Sequence, residues 1–268
     1  MTAPVLIGNG GLSGWQVLAR TASRQKQILA ASGQVRMASD HFRANIGKVK
    51  TAADLVGNYR LLDVALKAHG LEADQNNRFF IRKLLEGGVA DDKSLANRLG
   101  NKAYAQLART FGLSLDGTGA VAFDNGFSDR ILAQYVEREF EIRVGEGDQN
   151  LRMALNANRE LDRLAQSGAS ARTKWFEILG SPPLRKVFEG AFGFDATAYG
   201  KLPIDRQVDE FSRGLRRLTG SDDPKSLADP AQRDQLIRRF LVRAEVAQMG
   251  ASNRFSTALH LLQAARRR

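Results

Sequence analysis

The chain has 268 residues, of which 43% are apolar and 26% charged, enough to close a hydrophobic core and unlike the composition of disordered chains. It has no cysteine, which excludes disulfides, thiolate metal sites and cysteine nucleophiles while leaving the compartment open. Its 40 Lys and Arg against 29 Asp and Glu leave a formal charge of +11, which favours acidic partners such as nucleic acid, an anionic surface or an acidic protein.

Residues 1–14 read as a flexible, glycine-rich tail. Val5-Leu6-Ile7 is too short for the apolar part of an export signal. With Gly8-Asn9-Gly10-Gly11 it looks superficially like a dinucleotide loop, but no strand–helix alternation follows it. No proline lies between Val5 and Ser181, which leaves that stretch open to helices. Apolar residues at helical spacing place helices over Gly14–Ala31, Thr51–His69, Gln75–Leu85 and Lys102–Phe111. Thr51 with Asp54 forms a capping box with a shortened acid. Leu113–Phe123 reads as a glycine-rich loop rather than a hairpin. Ile131, Leu132, Tyr135, Val136 and Phe140 share a helical face that stops at Gly145. Asp148 then caps a helix carrying Leu151, Leu155, Leu161 and Leu164. Further helices fit Arg172–Leu179, Pro183–Phe192, Ile204–Leu218, Ala231–Gln248 and Ser252–Arg266. The expected fold is all-α, an internally duplicated helical bundle with lobes over 15–145 and 146–268, or one continuous domain. No apolar run is long enough to span a bilayer.

The duplication is expected from an ungapped match of Leu55–Leu71 with Ile178–Phe194. Gly57 meets Gly180, Leu61 meets Leu184, Val64 meets Val187, Ala68 meets Ala191 and Gly70 meets Gly193. A shorter echo ends at Phe111-Gly112-Leu113, and Asp91-Asp92-Lys93-Ser94-Leu95-Ala96 reappears around Asp222–Ala228. The unit reads as short helix, turn at Gly57 or Gly180, longer helix, and a glycine stop of positive φ at Gly70, Gly112 and Gly193.

Nothing in the sequence assembles a catalytic set. His41, His69 and His260 are the three histidines, far apart and without the spacing of zinc ligands. His69, ending an apolar helix face, reads as packed or capping. Glu139 and Arg143 are spaced to support one another on a helix, the two Asp-Asp pairs read as capping loops, and Trp15 and Trp175 as core or interface anchors. No catalytic, cofactor-binding or metal-binding residue is expected. The candidate contacts to an acidic partner are two arginine groups, Arg213, Arg216 and Arg217, and Arg266, Arg267 and Arg268.

Several blocks are distinctive: Gly11-Leu12-Ser13-Gly14-Trp15, Phe42 with Asn45-Ile46, and Asn77 through Leu85. To these add Ser94 through Leu99, Glu139-Phe140-Glu141, Gly145 with Asp148, Trp175-Phe176, and Leu179-Gly180-Ser181. With the Leu55–Leu71 block they resemble, over nearly the whole chain, a bacterial family of unknown function common in alphaproteobacteria and often encoded among flagellar genes. The resemblance implies a non-enzymatic accessory or structural protein of the flagellum, acting through flagellar protein partners. Its location would be cytoplasmic or flagellum-associated. It supplies no catalytic residue. A basic nucleic-acid-binding or regulatory protein is the alternative.

Overall fold

The computed structural model describes residues 4–115, 123 and 126–265, with side chains through residue 249. Every regular element in it is helical, and no strand occurs among the described residues. In chain order these are α1 (Gly11–Ala31), α2 (Gly33–Asn45), α3 (Ala52–Gly57), α4 (Tyr59–His69), α5 (Arg78–Gly87), α6 (Leu95–Arg98) and α7 (Lys102–Phe111). There follow α8 (Phe127–Gly147), α9 (Gln149–Gln166), α10 (Ala171–Gly180), α11 (Pro182–Phe192), α12 (Ala196–Gly200), α13 (Ile204–Thr219) and α14 (Pro230–Ala265). The loop expected over Leu113–Phe123 falls largely on residues 116–122, outside the described residues.

The chain divides into two compact units. The first comprises Met1–Leu6 and Arg20–Arg143, the second Ile7–Ala19 and Val144–Arg268. Of the three boundaries, 19/20 and 143/144 fall inside helices, α1 and α8, and 6/7 precedes α1. Residues 11–14, included in the tail by the sequence reading, form the first turn of α1.

In the first unit α4 is the central helix. It packs on α2, α3 and α7 and buries Leu61, Leu62, Val64, Ala65, Leu66 and Ala68, which leaves little of its surface for water. Its start and stop follow from local chemistry. Thr51 and Asp54 form the expected reciprocal capping box at the head of α3, and Asn58 accepts the Arg60 and Leu61 backbone N–H groups at the head of α4. Gly70 ends α4 at φ 72°, donating to the Leu66 and Lys67 carbonyls, and the Leu71 N–H also reaches Leu66 O. This is a Schellman stop, and the left-handed φ is what a side chain would resist.

The second unit has α11 at its centre, packed on α9, α10, α13 and α14. Gly193 repeats the stop at φ 75°, with the Gly193 and Phe194 N–H groups on Glu189 O. The bends also agree: Asn58 has φ −96°, ψ 101° and Ser181 φ −101°, ψ 104°. The bends do not rest on Gly57 and Gly180, as the sequence suggested. Neither glycine has positive φ, and a Cβ at either would meet nothing within 4 Å. The next residue makes the break in each case. Asn58 offers a competing side-chain acceptor, whereas Ser181 precedes Pro182 and Pro183, which have no N–H to satisfy.

The short α12 was not placed by the sequence reading, and two larger elements differ from it. Helix α2 was not anticipated, and α14 runs unbroken through Gly250, where two helices were expected. A glycine inside a helix costs about 1 kcal/mol, too little to stop one by itself.

An aromatic cluster fills the second unit. Trp175 and Phe188 meet edge to face at 5.7 Å, and Phe211 stacks on Phe188 at 6.1 Å. Phe192 and Phe194 complete it, each with its ring against Phe211. In the ungapped match His69 stands where the second unit has Phe192. His69 is buried at 6% exposure, its Nδ1 2.8 Å from Ala65 O and its Nε2 3.2 Å from Thr110 Oγ1. Burial, then the Arg138 charge, holds its pKa below the ordinary 6.5, against the Ala65 hydrogen bond. The neutral ring therefore donates to Ala65 and accepts from Thr110.

The depressed pKa makes stability depend on acid. As pH falls below 6.5 the unfolded chain takes up a proton that the folded one refuses, so stability present above that pH is lost toward the lower folded pKa. His69→Phe removes this titration. Thermal melts from pH 7.5 to 5.5 are expected to show a flatter slope for the variant than for the native chain. Parallel slopes would reject the assignment.

Candidate functional site

The N-terminal motif is built into the second unit. Gly10 and Gly11 have φ 75° and 51°, turning the chain into α1. The first free amides of that helix are taken by carboxylates: Gly11 N–H donates to Asp148 Oδ2 at 2.8 Å and Leu12 N–H to Glu245 Oε1 at 2.6 Å. The other Asp148 oxygen accepts from Asn150 and Leu151, so one aspartate caps both α1 and α9. At Gly14 a Cβ would lie 2.7 Å from Ile7 O and 2.8 Å from Leu151 Cδ1. Trp15 is buried, and its indole N–H donates to Asp234 Oδ1 at 2.7 Å. The donors that a dinucleotide loop turns toward a pyrophosphate are thus occupied by two anionic side chains. The Gly11–Trp15 block is a helix-anchoring device.

A cluster of titratable groups lies in the first unit. Lys67 on α4 reaches Asp63 at 3.2 Å and Glu139 at 3.5 Å, and Arg143 pairs with Glu139 at 3.0 Å. The expected Glu139–Arg143 support is therefore present, with Lys67 added from another helix. Burial works against the Lys67 charge, but Glu139 and Asp63 prevail and raise its pKa above the ordinary 10.5. The buried Tyr135 phenol, whose ring lies 6.0 Å from Lys67 Nζ, is pushed up by burial and then by the same two carboxylates. Neither group is poised to release a proton at neutral pH. The arrangement suits a structural tie between α4 and α8.

An open groove of about 480 Å³ lies in the same unit, with Ala30, Leu132, Ala133 and Val136 among its apolar lining. Four of its charges pair with each other: Lys26 with Glu137 at 2.6 Å and Arg43 with Asp129 at 3.2 Å. Among the described residues, no three His, Asp or Glu side chains converge in a way that could hold a metal ion.

The candidate arginines divide. Arg213 pairs with Glu210, and Arg216 with Asp222. Arg217 is exposed. Arg266, Arg267 and Arg268 lie outside the described residues. On α13, then, two of the three guanidinium groups are already met by carboxylates of their own unit.

A different surface combines charge with apolar area, and the sequence reading passed over it. Helix α5 buries Ile81, Leu84 and Leu85; Phe79 and Lys83 fall on the opposite side, Arg78 and Arg82 flank the buried stripe, and all four are exposed. Phe79 is 74% exposed, and Tyr59, at the start of α4, 54%. The Arg78 guanidinium lies 5.8 Å from the Tyr59 ring, and Lys83 Nζ 5.9 Å from the Phe79 ring. Glu86 binds Arg82 at 2.6 Å and Lys83 at 3.0 Å, and these hydrogen bonds hold its carboxyl below the usual range. Among the described residues, no carboxylate lies within ion-pair distance of Arg78. The available signal was helical phase: Phe79 stands two residues before Ile81, about 200° around the helix.

No helix among the described residues is long and apolar enough to cross a membrane. No curated protein matches the sequence. A crystal structure of a protein from Agrobacterium tumefaciens is similar to it, with a TM-score of 0.71 and 24% identity, covering 91% of this chain and 98% of that one. That likeness supports the all-α fold. Residues 68–232, more than half of the chain, match the model of a protein family of unknown function, DUF1217, and the chain belongs to that family.

Proposed function

We propose that this chain is a non-catalytic helical docking protein serving flagellum-based motility, acting by binding flagellar protein partners. The observation that carries the docking reading is the exposed pair of aromatic rings, Tyr59 and Phe79, each with a cation over it. Large rings exposed next to arginine are the residues from which interface anchors are drawn. The motility assignment rests on the family resemblance in the sequence. The nucleic-acid alternative draws on the net charge, and phosphate contacts would make any such binding steeply salt-dependent.

Deletion in a flagellated host tests the reading. Swimming is expected to fall in soft agar, and counting filaments by electron microscopy separates failed assembly from failed rotation. Complementation in trans should restore both. Normal swimming in the deletion strain would reject the motility role.

A further inference from the structure

We infer that the face of α4 and α5 bearing Tyr59, Arg78, Phe79 and Lys83 receives an acidic segment of a protein partner that carries aromatic side chains. The inference rests on the docking reading and adds the partner's chemistry.

Three observations select that chemistry. The first is charge. Helix α5 carries three exposed cations, Arg78, Arg82 and Lys83, against one carboxylate, Glu86, already engaged by two of them. Among the described residues Arg78 is left without a carboxylate, and the three cations keep an excess of positive charge for a partner's carboxylates. The same is not true of Arg213 and Arg216 on α13, which already have Glu210 and Asp222.

The second is apolar area. Phe79 and Tyr59 stay largely in water although the stripe of Ile81, Leu84 and Leu85 already gives α5 its core contact. Neither ring belongs to that core contact. An acidic segment without apolar residues would leave them wet.

The third separates a polypeptide from nucleic acid. Single-stranded nucleic acid needs open ring faces for stacking and a cationic track along its backbone. Here each ring already has a cation near one face, Arg78 for Tyr59 and Lys83 for Phe79, and the three cations lie within one short helix. A partner's carboxylates can meet Arg78 and Lys83 separately, and its aromatic edges the two rings, without displacing either cation.

The full-length protein can be tested by fluorescence anisotropy with three probes: a glutamate–tyrosine copolymer, polyglutamate, and a short oligothymidylate. The copolymer is expected to bind about ten-fold tighter than polyglutamate. Phe79→Ala and Arg78→Glu should each weaken it by about ten-fold or more, as loss of an interface anchor does. Arg217→Glu, remote in sequence and equally a loss of exposed charge, should change it little. In high salt the Arg78→Glu effect should shrink as charges are screened, while the Phe79→Ala effect persists. Circular dichroism melts confirm that each variant is folded.

Equal binding of polyglutamate would reduce the surface to simple charge and overturn the proposal. Oligothymidylate displacing the copolymer would overturn it in favour of nucleic acid. Binding of none of the probes would also overturn it. The motility reading fails separately: a deletion strain that swims normally ends that role, whatever the copolymer does.

Discussion

Phe211→Ala is expected to lower the stability of the chain by about 4 kcal/mol, the cost range for removing a fully buried phenylalanine. Phe211 has no exposed surface and sits on the core face of α13. Its ring centroid is 5.4 Å from Phe194, 6.1 Å from Phe188, 6.3 Å from Phe192 and 6.5 Å from Trp175. One side chain is thus the shared neighbour of four aromatic rings from α10, α11 and the turn after α11. The neighbours are held from several sides: the Trp175 indole N–H is on Asp222 O at 3.1 Å, and Phe194 stacks on Tyr199 at 4.1 Å. Collapse into the vacated volume is therefore restricted, and the cavity contribution should stay near the upper end. Phe211→Leu keeps most of the apolar volume and should cost roughly half as much. Urea denaturation of both variants gives the comparison. A loss under about 1 kcal/mol for the alanine variant would mean that the cluster repacks and does not hold α13.

The parts of this fold that were legible in the sequence are those decided within one turn of chain. Gly70, Gly112 and Gly193 all end helices in the left-handed region, because the stop asks for a conformation that a Cβ resists. The Thr51 capping box and the Asp148 cap follow from side chains that reach only three residues. Helix α2 was hidden for the opposite reason. Its buried positions are Val35, Ser39 and Phe42, and a serine interrupts the apolar stripe. The structure accepts it because Ser39 Oγ donates to Val35 O at 2.8 Å, one turn back. Composition cannot show whether a polar residue on a core face is satisfied in this way.

The bends after α3 and α10 show how a correct pattern can carry the wrong cause. The matched Gly57 and Gly180 marked the right place, yet the conformational break belongs to Asn58 and Ser181. Surface function was the least legible. Arg213, Arg216 and Arg217 stood out as a cation group, but Arg216 meets Asp222 only because the chain turns at Gly220, φ 80°. Phe79 lay in a Phe-Phe-Ile run that reads as core. Only its phase relative to Ile81, Leu84 and Leu85 places it outward, and a short apolar run obscures that phase.

Arg233→Met is expected to cost about 3 kcal/mol, the scale for removing one partner of a buried charged hydrogen-bond network. Arg233 lies near the start of α14 and is 7% exposed. Its Nη1 donates to Leu227 O at 2.6 Å and Ala228 O at 2.8 Å, at the end of the 3-10 turn over Pro224–Ala228. The same nitrogen lies 2.9 Å from Asp162 Oδ1 on α9, and Nε lies 3.4 Å from Asn158 Oδ1. A single guanidinium therefore ties α9, the 3-10 turn and α14, and it satisfies carbonyls that a helical turn leaves open at its end. Methionine keeps the apolar stem and about the right volume while removing every donor, so the loss reports the hydrogen bonds rather than a cavity. Asp162 is 41% exposed and can rehydrate. The penalty should come mainly from Leu227 O and Ala228 O, which face the buried side of the turn. Arg233→Lys separates charge from shape: a lysine can reach one acceptor but lacks the planar fork, so its loss should fall between the native chain and the methionine variant. Equal stability of all three chains in urea would show that the network is neutral in energy, and that apolar packing of the Leu227 side chain alone holds the turn to α9.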